Sequence, residues 1–251
     1  RLIDGVLYDP WDPSGPAPSL DTVAWGLAAL NRYGGHTKRP YSVAEHSIWV
    51  AFYLAFGGAD NENFRQAAKS IANADDGWER DIQWAPSSQR HAALLGLVHD
   101  APEGCGLVDV PGPILRHAEM SEYKRAHERC MAWLCRDWGL LPPEEWPKEV
   151  KAADVAILGA ELTIRPDNAT GHDGSGEDIP RWPDFDLRTR HDLSWMNRPR
   201  MARTWLDAFR RIAADFRHAR RPDDNGEPDQ ELLQDLLRSR HGDRGGRTKR
   251  A

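Results

Sequence analysis

Two histidines and two aspartates interrupt the apolar helical stretches of this sequence. His46 lies within VAEHSIWV, His99 and Asp100 follow the aliphatic run LLGLV, and Asp154 lies within KAADVAIL. Singly, such a histidine is more often a hydrogen-bonded core residue, and such an aspartate is more often solvated. Together, two imidazoles and two carboxylates suit one divalent ion, such as Co, Mn, Zn, Ni, Fe or Mg, with positions left for water. The four residues therefore predict a metal site, whose ion the sequence leaves undetermined.

The adjacent pair His99 and Asp100 explains why an apolar run leads into charged groups. Neighbouring side chains diverge by about 100° around a helix, so both can reach one ion if the helix axis points at it. A cation would offset the cost of burying Asp100. The alternative is a structural helical bundle in which all four residues coincide without binding anything.

The elements that must position these residues are helices. Asp21 is a candidate N-cap, Ser42 and Glu45 fit a capping box, and Pro102 is expected to end or bend the helix that carries His99 and Asp100. Helical periodicity covers TVAWGLAALNRY, VAEHSIWVAFYLAF, SQRHAALLGLVHDA, SEYKRAHERCMAWLCRDW, KEVKAADVAILGAELTI and MARTWLDAFRRIAADF.

The pattern as a whole predicts an all-α protein, because strand-like alternation is close to absent. We expect one domain over residues 1–217, with polar insertions at about 57–88 and 166–198. Residues 218–251 are charged and rich in glycine and proline, which indicates a partly disordered tail.

Composition limits the partners. The net charge is -6 and the pI about 5.9, which disfavours a duplex nucleic-acid surface. Apolar runs fall short of the roughly 20 residues that cross a bilayer, and the first residues lack a signal-peptide pattern. Three cysteines, Cys105, Cys130 and Cys135, form no C-x-x-C pair and are expected to be reduced. We therefore expect a cytoplasmic protein without a membrane partner. The sequence leaves open whether it forms a homo-oligomer.

The order His46, His99-Asp100, Asp154 resembles the HD superfamily of metal-dependent phosphohydrolases. The segments NRYGGHTKRPYSVAEHS, LVHDAPEG, DVPGPILR and KAADVAILGAEL resemble small nucleotide phosphohydrolases of this superfamily. These include bacterial 5′-deoxynucleotidases and phage enzymes that remove triphosphate from dATP. The resemblance is therefore compatible with a phage-encoded protein that acts in the host cytoplasm. The similarity covers about residues 7–162 and the helix at 205–216, outside the two insertions. It implies an HD-domain helical bundle with the four residues as metal ligands.

The resemblance also implies roles for residues around the metal. Glu103, four residues after His99, would polarise the attacking water. Arg32 would contact phosphate, for which its planar, permanently charged guanidinium is suited. Asp109 would assist the water or the sugar hydroxyl, although it lies one residue further from Glu103 than in the relatives.

Four further residues are candidate substrate contacts by the same resemblance. Arg116 stands where relatives place a lysine, and His36 and Lys38 lie in the GGHTKR loop near Arg32. A role in stabilising that loop is an equal alternative for His36 and Lys38. Tyr33 lies where a base or sugar is contacted in the relatives.

The implied activity is hydrolysis of a small nucleotide at its 5′ α-phosphate. A triphosphohydrolase and a 5′-deoxynucleotidase attack the same phosphorus, and the basic groups of GGHTKR favour triphosphates. The phage resemblance favours deoxynucleotides, with dATP first. The alternatives are a 5′-deoxynucleotidase acting on dNMPs and a non-catalytic HD-fold nucleotide sensor. A di-iron oxygenase would need further histidines between His127 and Asp154, and since there are none, one metal is expected.

Overall fold

The structure, a computed structural model, describes residues 2, 9, 11–58, 61, 64, 87–161 and 198–219. Its α-helices are α1 (Leu20–Ala29), α2 (Val43–Phe56), α3 (Ser87–Val98), α4 (Ala101–Gly104), α5 (Gly112–Leu115), α6 (Ser121–Asp137), α7 (Lys148–Glu161) and α8 (Arg198–Ala219). Short 3-10 turns occupy Arg32–Gly35, Ala118–Met120 and Pro143–Glu145. No strand occurs in these ranges, which confirms the all-α prediction for the described residues.

The chain divides into two compact units, Arg1–Arg217 and His218–Ala251. All the features below belong to the first unit. Apart from a few residues, the predicted insertions at 57–88 and 166–198 and the predicted tail at 218–251 lie outside the described residues. None of the described helices combines the length and apolar character needed to cross a membrane.

Helix α2 lies at the centre of the bundle. All its residues are buried except Tyr53. Helices α1, α3 and α7 pack against it, and α3 also packs against α7. A helix that is buried on every side places any polar residue it carries in the interior. His46 on α2 is therefore held away from solvent by the fold itself.

Two glycines allow α4 to lie directly on α1. A Cβ at Gly26 would stand 2.2 Å from the carbonyl oxygen of Gly104, and one at Gly104 would stand 2.6 Å from the carbonyl oxygen of Val23. Both distances are shorter than real Cβ contacts allow. The close approach fixes the position of α4, which carries Glu103.

The starts of α1 and α2 differ in part from the sequence predictions. Ser19, rather than Asp21, caps α1, because its Oγ accepts a hydrogen bond of 3.2 Å from Thr22 N. Ser42 caps α2 as predicted, with its Oγ accepting from Glu45 N at 3.1 Å. The Glu45 carboxylate lies 2.6 Å from Arg39 Nη2, so this acid is ion-paired with the preceding loop.

His99 and Asp100 do not lie on a helix, which corrects the prediction that they do. They form a turn between α3 and α4, and Asp100 has φ -103 and ψ 13. Pro102 is the physical reason: it has no N–H to continue the hydrogen bonds of α3, and its ring would clash with the carbonyl of the residue four positions earlier if that helix continued. The chain therefore leaves the helix at the two predicted ligands.

Helix α8 contacts α3 near its C-terminal end. Trp205 is fully buried, and its Nε1 donates a hydrogen bond of 3.1 Å to the carbonyl of Leu97. Phe209 stacks on Trp205 with ring centroids 5.9 Å apart. The amphipathic helix predicted over 201–216 thus lies within α8, and its apolar face helps to hold the end of α3, next to His99.

Candidate metal centre

Side chains from α2, the α3–α4 turn and α7 meet at one point. His46 Nε2 lies 3.2 Å from Asp154 Oδ1 and 3.3 Å from His99 Nε2. Asp100 Oδ2 lies 3.2 Å from His99 Nε2 and 3.7 Å from His46 Nε2. Ligands bound to one ion at about 2.0–2.2 Å stand roughly 3.0–3.6 Å from one another. His46, His99 and Asp154 therefore form a group that could hold a metal ion, and Asp100 lies beside it.

Hydrogen bonds fix which nitrogen of each imidazole faces this point. His99 Nδ1 lies 2.6 Å from the carbonyl oxygen of Gly96, and His46 Nδ1 lies 2.6 Å from Glu161 Oε1. A carbonyl or carboxylate oxygen can only accept here, so both Nδ1 atoms carry the proton. In the neutral ring each Nε2 then presents a lone pair to the cluster, as a metal ligand must.

The charged groups of the cluster shift one another's pKa values. Burial and Arg32 both lower the pKa of His46, but Glu161 and Asp154 outweigh them and raise it to about 9. Burial raises the pKa of Asp154, whereas hydrogen bonds from His46 and His99 hold it well below its usual value. Without a cation, the protein thus favours a proton on His46. A metal ion would bring the positive charge that this proton supplies.

Glu103 lies beside the cluster in an unusual state for a carboxyl group. It is 7% exposed, and within the described part of the chain its Oε2 has no hydrogen-bond partner. Burial raises its pKa well above the usual value, and the negative charges of Asp100 and Asp109 raise it further. A buried carboxyl with an uncommitted oxygen can hold or accept a proton in the site.

Arg32 reaches the cluster from the turn between α1 and α2. Its Nη1 lies 3.3 Å from Asp100 Oδ2. The next residue, Tyr33, has φ 57, a left-handed backbone conformation that residues other than glycine rarely adopt. The Tyr33 N–H donates to Asp109 Oδ2 at 3.0 Å. Asp109 therefore holds the turn that carries Arg32.

A cavity of about 600 Å³ opens beside these residues. Arg32, His99, Asp100, Glu103, Asp109 and Asp154 line it together with cationic and aromatic side chains that the sequence analysis did not select: Tyr123, Lys124, His127, Trp146, Lys148 and Lys151. Trp146 is held in place because its Nε1 donates to the carbonyl of Leu141 at 2.8 Å. Lys151 pairs with Asp154. The cavity thus combines positive charge, carboxylates and a flat aromatic surface.

A signal for two of these lysines was present in the sequence. Lys148, Lys151 and Asp154 follow one another at intervals of three residues, which places them near one another on a helix. For Lys124 and Trp146 we find no such signal, because they lie on α6 and in the α6–α7 loop, and only the packing of these elements brings them to the cavity.

The structure also places the remaining predicted residues. Tyr33 lines the cavity, whereas His36, Lys38 and Arg116 are exposed and are not among its lining residues. The substrate contacts assigned to these three residues stay predictions.

Glu161 is a buried residue that the sequence analysis did not select. It is fully buried on α7, seven residues after Asp154. Two helical turns separate the two acids, so they lie near the same face of α7. The sequence did carry a signal for Glu161: it is an acid within the apolar segment LGAEL, two helical turns after the predicted ligand Asp154.

No protein-family model matches this chain, and a search of curated proteins found no significant match.

Proposed function

We propose that this protein is an HD-type, metal-dependent phosphohydrolase that cleaves deoxynucleotides at the 5′ α-phosphate, with dATP-like triphosphates preferred. One observation carries the proposal. Two imidazole nitrogens and two carboxylate oxygens converge at ligand-like separations, next to a cavity that also presents Arg32 and Glu103. This mixed nitrogen and oxygen set suits a catalytic divalent ion with open positions.

A divalent ion held by His46, His99, Asp100 and Asp154 would polarise a phosphate oxygen and acidify a bound water. Glu103 would take the proton of the attacking water. Its raised pKa reflects burial and the neighbouring Asp100 and Asp109. Positive charge at the cluster would offset that repulsion, so Glu103 would ionise more readily in the loaded protein.

Arg32 would bind the phosphate that reacts. Its guanidinium lies at the edge of the ligand cluster, 3.3 Å from Asp100 Oδ2, and lines the cavity. A planar donor group in that position can stabilise the charge that develops on phosphate oxygens. Asp109 would contribute by holding the Arg32–Tyr33 turn, which is a different role from assisting the water.

The preference for triphosphates rests on cations that line the cavity. The loop residues His36 and Lys38 are exposed and do not line it, whereas Lys124, Lys148 and Lys151 do. Three ammonium groups can neutralise the β- and γ-phosphates of a triphosphate. A volume of about 600 Å³ falls in the usual range of small-molecule sites.

The test is to incubate the purified protein with Co²⁺ or Mn²⁺ and a panel of dNMPs and dNTPs, and to separate the products by ion exchange. We expect tripolyphosphate and deoxynucleoside from dATP. Asp154→Ala, prepared in parallel, should release neither product. Phosphate released only from dAMP would assign the protein to the 5′-deoxynucleotidase alternative. Tight nucleotide binding without any product would indicate the sensor.

A further inference from the structure

Glu161 contacts three residues of the candidate metal centre and its surroundings. Its Oε1 lies 2.6 Å from His46 Nδ1, and its Oε2 accepts a hydrogen bond from the Tyr33 hydroxyl. Arg32 Nε lies 3.5 Å from Oε1. The carboxylate is fully buried, so its direction is set by these partners and not by solvent.

We propose that Glu161 is a positioning residue that sets the metal affinity of the centre by fixing the ring orientation and the tautomer of His46. This rests on the metal site of the proposed function and is independent of the reaction. Tyr33 and Arg32 in turn hold the carboxylate in place.

The choice of tautomer matters because both ring nitrogens of His46 face an acid. Nδ1 faces Glu161, and Nε2 lies 3.2 Å from Asp154 Oδ1. If Nδ1 lost its charged acceptor, the ring proton could move to Nε2 and bond to Asp154. That proton would then occupy the position from which Nε2 must bind the ion, and metal affinity would fall.

The carboxylate of Glu161 is committed as an acceptor by its contacts: Oε2 takes the Tyr33 hydroxyl, and Oε1 faces His46 Nδ1 and Arg32 Nε. A neutral amide in the same place would accept a weaker hydrogen bond and would not attract the imidazole proton.

Glu45 provides a matched control. It is also a buried carboxylate in an ion pair, with Oε1 2.6 Å from Arg39 Nη2, and it lies on α2 next to His46 in the sequence. Its carboxylate accepts hydrogen bonds from Arg39, which is not a candidate metal ligand. Glu45→Gln should therefore reproduce the loss of a buried charge without affecting the tautomer of His46.

The experiment is a titration of the metal-free full chain with Co²⁺, followed by calorimetry and by the visible absorption of the bound ion. We expect Glu161→Gln to bind Co²⁺ about 10- to 100-fold more weakly than the wild type. Glu45→Gln should bind it with wild-type affinity, even if its thermal midpoint falls as far. Equal affinity of Glu161→Gln and wild type would overturn the proposal, as would an equal loss in both variants.

A second measurement uses only the wild type and so does not depend on the folding of a variant. In the Zn²⁺-loaded protein, ¹⁵N shifts of the histidine rings should show His46 protonated at Nδ1 and bound through Nε2. A His46 unprotonated at Nδ1 would overturn the proposal. Wild type that binds neither Co²⁺ nor Zn²⁺ would refute the metal site itself, whereas metal binding without nucleotide hydrolysis would refute the reaction alone.

Discussion

Asp109 Oδ2 accepts a hydrogen bond of 3.0 Å from the backbone N–H of Tyr33. The bond joins the loop after α4 to a turn in which Tyr33 and Gly34 both have positive φ, 57 and 60. Arg32, the first residue of this turn, reaches Asp100 in the ligand cluster. The position of the arginine therefore depends on a carboxylate that is distant in the sequence.

If Asp109 acts by holding the turn, only its hydrogen-bond acceptor matters and its charge does not. Two replacements distinguish these properties. Asp109→Asn keeps an oxygen that can accept from Tyr33 N, so we expect near wild-type KM and kcat. Asp109→Ala leaves that N–H without its acceptor and should raise KM at least several-fold through misplacement of Arg32. Steady-state kinetics on dATP would distinguish the roles, because a catalytic carboxylate would make Asp109→Asn as inactive as Asp109→Ala.

For the ligand cluster, we expect Asp154→Ala and Asp100→Ala to abolish metal-dependent activity, as chelation should in the wild type. Each change removes an oxygen ligand and one of the two aspartates that lie beside both imidazoles. Metal content measured by elemental analysis after dialysis should fall together with activity. Full turnover by Asp100→Ala without added metal would refute its assignment as a ligand.

Glu103→Gln should separate chemistry from metal binding. The amide cannot take a proton from water, so kcat should fall by about 10²- to 10⁴-fold while metal content stays near normal. The thermal midpoint should not fall, because an acid that is 7% exposed and repelled by Asp100 and Asp109 is replaced by a neutral group. A variant that is purified without metal would instead make Glu103 a ligand or a support for one.

Metal affinity should rise with pH. In the metal-free protein the pKa of His46 is raised to about 9, since Glu161 and Asp154 outweigh the opposing effects of burial and Arg32. Below that pH a metal ion must displace a proton, so apparent affinity should rise about tenfold per pH unit and level off above the pKa. Calorimetry in buffers of different ionisation enthalpy should detect about one proton released per ion at neutral pH. Affinity that does not change between pH 7 and 8.5 would contradict this.

Trp146 should contribute to base binding. Its ring lines the cavity and is fixed by the 2.8 Å bond from Nε1 to the carbonyl of Leu141. Stacking of a base on an aromatic side chain is worth about 1–3 kcal/mol, so Trp146→Ala should raise KM for dATP roughly 5- to 150-fold. Trp146→Phe should restore most of this loss. Inhibition by tripolyphosphate, which has no base, should be unchanged, and a parallel loss for both ligands would argue for general damage to the cavity.

The helices were largely determined by local sequence. Helix α2 spans Val43–Phe56, the stretch that the periodicity predicted, and Ser42 caps it. Capping and periodicity are interactions between residues a few positions apart, so they can be inferred without knowing the fold. The two wrong predictions arose where neighbouring residues gave conflicting local signals. At the start of α1, Ser19 and Asp21 could both cap the helix, and Ser19 does. At His99 and Asp100 the apolar pattern favoured a helix, but Pro102 ends it before them.

The sequence by itself also selected the four residues of the candidate metal centre, because their types are costly to bury in apolar helices unless a partner compensates them. Only the tertiary structure decided what surrounds them. His46 meets Glu161 across 115 residues of chain, and the cations that line the cavity beside Arg32 include Lys124, Lys148 and Lys151 instead of His36 and Lys38. Such contacts depend on how α2, α6 and α7 pack. Residue type can show that a buried charge needs a partner, but packing alone determines which partner is close enough to interact.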